Sequence, residues 1–301
     1  MLYRYAPLLA LLAFSLSCPH VHAQNFSKRN RYRTAGVSLN ALSYFGDISP
    51  RVRASSFRAG ATRPGLSVHA TQRLNPRLSL RAALSYGRLT GQDAQAGRDH
   101  DASAQIRYQR NLNFRNDLVE LAATGVFDLV ENRGDYLRRL SFVPFVFAGV
   151  AVFHHSPQGL VGGGTIPAEL RAGEYVALQP LRTEGQATGY RRTQVALPFG
   201  GGVRYRLTKD LDLSLEIGWR KTFTDYLDDV SRTYADGAKL TSPAARYFGR
   251  NVTRTTGPTE AASFAAPGQL RGHHRHDDWY LVTGVSVHYL LPQPANGSKF
   301  R

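Results

Sequence analysis

Several groups of side chains in this 301-residue chain have types and spacings that could do chemistry. His273-His274-Arg275-His276, followed by Asp277-Asp278, gathers imidazoles and carboxylates, the donors a divalent metal takes. An arginine at its centre and a strand directly after it suit a solvated loop charge cluster instead. Asp225, Asp228, Asp229 and Asp236 could collect Ca²⁺, but no Gly-centred loop gives them EF-hand spacing, and a structured rim is the plainer expectation. Gly162-Gly163-Gly164 lacks the Lys-Ser/Thr that completes a phosphate loop. No G-x-S-x-G elbow occurs, and nothing in the spacing brings the loop Ser, His and Asp residues together. The expectation is a protein without catalytic residues, metal ligands or cofactor, and not an enzyme.

The residues at the N-terminus look like an address. Arg4 gives a positive start, Ala6 to Leu16 an apolar run, and Val21-His22-Ala23 a small-residue cleavage site before Gln24. Residues 1–23 are therefore expected to be a secretory signal peptide of the Sec type. Cys18, the lone cysteine, raises a lipoprotein alternative, but Leu16 stands where a small residue is wanted. One cysteine also excludes a disulfide scaffold and a Cys-based zinc site. The formal net charge is +16, from 38 Lys and Arg against 22 Asp and Glu. Export argues against nucleic acid as the partner of that charge, and anionic lipid head groups fit better.

The elements that would position these groups are strands. Leu211, Leu213, Leu215, Ile217 and Trp219 alternate with Asp212, Ser214, Glu216, Gly218 and Arg220, giving one greasy and one polar face. Val195 to Leu207 repeats the pattern, and Thr208-Lys209-Asp210 joins the two as a hairpin. Pairing Leu207 with Leu211 brings Tyr205 to Leu213, Val203 to Leu215 and Phe199 to Trp219, with both apolar sets on one face. Similar alternation runs through Val37–Phe45, Leu66–Leu74, Leu78–Tyr86, Val119–Phe127 and Trp279–Leu291. Phe142 to Phe153 is apolar on both faces and gives no orientation. Ala102 to Leu112 alternates weakly and is taken as ordered loop, because a ninth strand would break the even count.

Short connections (Asn75-Pro76, Glu131 to Arg139, Thr208 to Asp210) alternate with long ones (Asp47 to Ala61, Gly91 to Arg115, Ser156 to Arg191, Tyr226 to Asp278). The pattern predicts an all-β fold: an eight-stranded antiparallel transmembrane β-barrel, residues 34–291, with four long outer loops in the outer membrane of a Gram-negative bacterium. Residues 24–33 and 292–301 would lie in the periplasm. In hydrocarbon every backbone polar group must be paired, and a closed sheet achieves this. A soluble barrel with the same alternation would turn its apolar face inward. The polar face here carries Arg81, Glu120, Arg204, Arg206, Asp212 and Glu216, a lumen charge network in which Arg206 could neutralise Asp212 and Arg204 could neutralise Glu216. Eight strands leave an interior that side chains fill, so an anchor or scaffold is expected rather than a pore.

Several strings resemble the PorG-type outer-membrane barrels of the Bacteroidetes type IX secretion system. They are Ser43-Tyr44-Phe45-Gly46-Asp47, Arg110 to Arg115, Pro144 to Gly149, Leu178 to Gln186, Pro198 to Val203 and Thr222 to Ser231. The resemblance implies an outer-membrane component of a protein-export apparatus that tethers periplasmic partner proteins. Basic residues on the expected periplasmic side, Lys28, Arg29, Arg31, Arg33, Arg133, Arg138 and Arg139, are the candidate partner contacts. The most specific strings fall on the outer side, so Thr183, Glu184, Gly185, Gln186, Asp225, Tyr226, Asp228 and Asp229 are expected to order the long loops into a cap. There Asp225 or Glu184 would accept hydrogen bonds from arginines. The long stretch Tyr234 to His276 matches nothing in this resemblance. A lipid- or peptide-modifying barrel enzyme and a passive structural or adhesion barrel remain the alternatives.

Overall fold

Period-two alternation resolves into nine strands: β1 (Arg33–Phe45), β2 (Arg63–Arg73), β3 (Leu78–Gln92), β4 (Asn113–Asp128), β5 (Phe142–Leu160), β6 (Tyr175–Ala177), β7 (Thr193–Arg206), β8 (Leu211–Thr222) and β9 (Trp279–Leu291). The computed structural model describes residues 31–48, 61–98, 102–134, 138–250, 252, 257–273 and 276–291. The expected signal peptide, Lys28, Arg29 and the 292–301 tail lie outside the described residues.

Neighbouring strands pair antiparallel in the order β4-β3-β2-β1-β9-β8-β7-β5, and β4 pairs with β5 to close the ring. The result is a closed eight-stranded barrel. The three-residue β6 adds to the far end of β5, within a stretch expected to be plain loop. Tyr205 faces Leu213, Val203 faces Leu215 and Phe199 faces Trp219, the register that the hairpin's alternation demands. Tight turns connect one end of the barrel. Asn75 Oδ1 accepts from Arg77 N and Leu78 N, and Thr208 Oγ1 accepts from Asp210 N and Leu211 N, the self-capping such residues provide. The four long connections, residues 46–62, 93–112, 161–192 and 223–278, all leave the opposite end.

The greasy face points outward. Val37, Leu39, Leu84, Leu121, Val150 and Leu215 are each at least half exposed, whereas Ser38, Glu120, Asp212, Ser214 and Ser286 are buried inside. On β5 the structure supplies the orientation that the sequence withholds: Phe142, Val146, Val150 and Val152 face out, and Phe145, Phe147 and Phe153 face in. From Phe142 to Val152 a strand tilted about 40° rises roughly 25 Å, the height of a lipid-facing apolar band. Exposed apolar area of this extent, ringing a sheet with a polar interior, is the arrangement a bilayer solvates and water does not. The inward phenylalanines are large, and glycines on the facing strands make room for them. A Cβ on Gly202 would sit 2.9 Å from the Phe145 ring, and one on Gly218 2.6 Å from the Phe147 ring.

Among the described residues three short α-helices lie in the long connections: α1 (Ala102–Arg110), α2 (Pro243–Arg250) and α3 (Pro258–Phe264). The first corrects the ordered-loop expectation for Ala102 to Leu112. Its weak alternation is a single helix that buries Ala104 and stops at Asn111, which takes the left-handed conformation at φ 55°. No helix among the described residues is long and apolar enough to cross a membrane.

Candidate functional site

Two buried polar regions share the barrel axis, a lumen and a cap over its loop end. The lumen is built in tiers. Nearest the turns, Asp128 holds both Arg73 at 3.1 Å and Arg204 at 2.8 Å, while Arg139 holds Asp212 at 2.8 Å. Arg139 also donates to the carbonyls of Thr208 and Lys209, which fastens two turns together beneath the barrel. Midway, Arg81 grips Glu216 at 2.7 and 2.8 Å and stacks over Phe147 at 4.9 Å. Beside it His69 and His288 share a 2.9 Å hydrogen bond, and His288 meets the Ser214 hydroxyl at 2.8 Å. Toward the loops, Arg220 reaches Glu120 at 3.3 Å, and Tyr280 donates to the same carboxylate.

All six residues expected in the lumen network are inward-facing, but the expected pairings are corrected. Arg206 does not neutralise Asp212; it donates to the Arg139 carbonyl, and Arg139 takes Asp212. Arg204 goes to Asp128, and Glu216 goes to Arg81. The reason is geometric. Side chains inside a narrow barrel reach across the axis, so a charge meets one from an opposing strand rather than its ladder neighbour. Three cavities among these residues amount to about 20, 60 and 20 Å³, space for a few waters each.

The turn end carries the candidate partner contacts. Arg31, Arg33, Arg133 and Arg138 are exposed there. Arg33 donates to Gln72 at 2.6 Å, and Arg133 pairs with Glu131 at 2.8 Å. Arg139 is the exception: it is buried beneath the lumen, so it closes the barrel instead of offering a surface.

At the other end the loops fold over the mouth. Leu227 and Val230 from the fourth loop join Leu42, Leu89, Phe114, Phe153 and Tyr280 in an apolar plug. Above it the two specific strings meet. The Thr183 hydroxyl and Tyr190 hydroxyl donate to Asp229, and Glu184 accepts from Ser231 N at 2.9 Å and Arg232 N at 3.0 Å. Gly185 turns the first string at φ +66°, and Asp229 turns the second at φ 67°. Tyr226 stacks on Tyr190 with ring centroids 4.6 Å apart. Gln186 Oε1 accepts from Glu184 N.

Two arginines outside the expected set clamp this cap. Arg271 bridges Glu184 at 3.0 Å and Asp229 at 3.8 Å. Arg110 at the end of α1 holds Asp93 at 2.7 Å and donates to the carbonyls of Asp47 and Arg271. Arg271 was hidden because nothing local marks it: it lies in the glycine- and arginine-rich stretch that matched no pattern.

Carboxylates outnumber these two cations. Asp228 and Asp278 both sit within hydrogen-bond distance of one phenol, Tyr44, at 2.7 and 2.8 Å. A phenol has one proton to donate, so the second carboxyl bonds well when it is itself protonated. Burial pushes both groups well above the usual carboxylate range, and neighbouring carboxylates push the same way. Asp225 is the corrected member of the cap. Among the described residues it accepts from no arginine, and both of its oxygens are buried without a well-formed hydrogen bond. Burial pushes it up to about 9, helped by the charges of Asp47, Asp228 and Glu184 and opposed by Ser231. Burial also raises Asp229, to about 6, against the pull of Arg271, Thr183 and Tyr190. Among the described residues no three His, Asp or Glu side chains are placed to hold a metal ion.

The histidine run divides. His273 N donates to Asp47 at 2.8 Å, the His273 and His276 rings lie 5.2 Å apart, and Asp277 pairs with Lys221. His274 and Arg275 lie outside the described residues.

Residues 21–241 match the family model described as "Domain of unknown function (DUF6089)". No curated protein sequence matches the chain. Among solved structures, the attachment invasion locus protein Ail of Yersinia pestis is similar at a TM-score of 0.36 and 7% identity, covering 87% of this chain and 97% of that one. Neisserial surface protein A follows at 0.35 and 12%, covering 86% and 96%. A major outer membrane protein from Thermus thermophilus follows at 0.39 and 14%, covering 86% and 99%. At such scores the barrel is established by this chain's own closed sheet, and the neighbours add nothing to its function.

Proposed function

The chain belongs to the DUF6089 family, and we propose that it is an outer-membrane β-barrel component of a protein-export apparatus of the type IX kind, anchoring periplasmic partners rather than conducting cargo. One observation carries the reading. The lumen is crossed by three tiers of ion pairs and leaves cavities of about 20, 60 and 20 Å³, so nothing the size of a polypeptide passes through it. A barrel that spans lipid and passes no polypeptide has its two ends to work with.

In this reading the turn end faces the periplasm; it is basic and presents Arg31, Arg33, Arg133 and Arg138 toward an acidic partner surface. Lys28 and Arg29 extend this patch in sequence. The strings that resemble the PorG-type family support the export role, and two of them, Leu178 to Gln186 and Thr222 to Ser231, meet in the cap. In this reading the chain reaches the outer membrane by Sec-type export, and no catalytic role is assigned to it.

The test is affinity purification of the full chain from membranes, together with the secreted-protein profile of a deletion strain. Co-purifying periplasmic proteins and cargo trapped in the periplasm support the role; an unchanged culture supernatant removes it. A second reading, a structural or adhesion barrel, draws on the size of the cap, whose fourth loop alone carries two helices and its own apolar clusters. That reading predicts the unchanged supernatant.

A further inference from the structure

The outward wall changes character just beyond the apolar band at the loop end. On β4 the last exposed apolar side chain is Val119, on β5 Val152 and on β7 Val195. Two to four residues further, roughly 5–10 Å higher along a tilted strand, stand Arg115, His154 and Arg191, with Arg192 beside the last. Arg115 lies 3.7 Å over the Tyr175 ring, and its Nε donates to Gln158 of β5 at 2.8 Å, so its two terminal nitrogens stay available. Arg191 and Arg192 are exposed and have no ion-pair partner among the described residues. The Arg192 carbonyl accepts from His155 N, which sets these arginines on the opposite side of β5 from Arg115. Two strand spacings, roughly 10 Å, separate the flanks.

The neighbouring cations at this height are already neutralised. Arg88 is paired with Asp117 and Lys221 with Asp277. Around the rest of the rim, on β9, β1 and β2, the outward positions are Trp279, Phe45 and Pro64. Among the described outward positions of the rim, the unpaired charge therefore falls in one sector, over β4, β5 and β7. It sits at the depth where head groups begin, with a ring, an amide and guanidinium forks suited to phosphate oxygens.

We propose that this sector binds the phosphate groups of outer-leaflet lipid, with Arg115 on one flank of β5 and Arg191 on the other. The inference rests on the barrel standing in an outer membrane. Lipid is the source because the sector continues the apolar wall without a step: a lipid held by its chains along Val119, Val152 and Val195 brings its head group to these cations. The guanidiniums would fix which lipid surrounds this side of the barrel, leaving the aromatic side to neutral neighbours.

The full chain in neutral detergent micelles is titrated with bisphosphorylated lipid A, with the same lipid after removal of its phosphates, and with inorganic phosphate, following bound lipid by native mass spectrometry. The phosphorylated lipid should bind at least ten-fold more tightly than the dephosphorylated one. A variant combining Arg115→Gln and Arg191→Gln should lose that preference while still binding both lipids. Arg171→Gln, on the exposed third loop, should keep it. Equal binding of the two lipids by the unaltered chain, or an undiminished preference in the double variant, overturns the proposal. Inorganic phosphate displacing the lipid at equal concentration would make this a soluble-anion site and overturn it too. A chain that binds neither lipid and stays folded without detergent refutes the membrane-spanning barrel itself, a different failure.

Discussion

The lumen and the cap bury the same kinds of charge in opposite proportions. In the lumen Glu120, Asp128, Asp212 and Glu216 each have a guanidinium in contact, and Asp128 has two. In the cap Asp47, Asp93, Glu184, Asp225, Asp228, Asp229 and Asp278 share chiefly Arg110 and Arg271. Charges that cannot leave a membrane interior must be matched at assembly, because removing one partner strands the other. A cap that faces water has another recourse: its surplus carboxyls take up protons. The lumen is thus a lock set by arginine, and the cap is a lid whose charge depends on pH.

The sharpest way to break this contrast is Asp128→Ala. It strands Arg73, 2% exposed, together with Arg204, and should cost about 3–5 kcal/mol of stability. Urea unfolding in detergent micelles, read by the heat-shifted gel mobility of the folded barrel, would measure it. Arg271→Ala in the cap should cost less, roughly 2 kcal/mol, because Asp229 is already pushed toward neutrality and can protonate when its partner goes. That variant should admit protease to the 223–278 loop while the barrel's strands stay protected.

The pH dependence comes next. Asp225 binds its proton more tightly in the closed cap than in an open one, so its contribution is fully present below the ordinary value of 3.8. It is lost as pH rises toward about 9. Protease cleavage of the fourth loop should therefore quicken over that window, and Asp225→Asn should flatten the upper part of the curve. A cleavage rate that instead falls with rising pH would show the cap to be held by ionised carboxylates. The smallest effect belongs to the exposed Arg133–Glu131 pair at the turn end: Arg133→Ala should leave the unfolding midpoint where it was.

How far these regions show in the sequence follows from what fixes each. The walls were legible because alternation is local: the 207–211 turn and its register, and the faces of β1 to β4, follow from period two and one bend. Phe142–Phe153 was not, since its inward phenylalanines are set by glycines on β7 and β8 that only closure brings opposite. Membership of the lumen network was legible from side-chain parity. Its pairings were not, because they depend on the stagger of the whole barrel. Arg139 looked like a surface cation because nothing in a turn sequence says that it folds back under the lumen. In the cap, Thr183–Gln186 and Asp225–Asp229 could be expected to order loops, yet Arg271 comes from a stretch without pattern. Asp225 has no arginine because both cap arginines are held elsewhere.

The most direct test of the account is the depth and sidedness of the wall. Spin labels at Leu39, Leu84 and Leu121 on the full chain in lipid bilayers, with a fourth at Lys209 in a turn, would be read for collisions with oxygen and with a water-soluble nickel chelate. The labels on the three leucines should be accessible to oxygen and shielded from nickel, and the Lys209 label the reverse. Nickel reaching the leucine labels as readily as Lys209 would mean that the apolar face meets water, contradicting both the lipid-spanning wall and the locked lumen behind it.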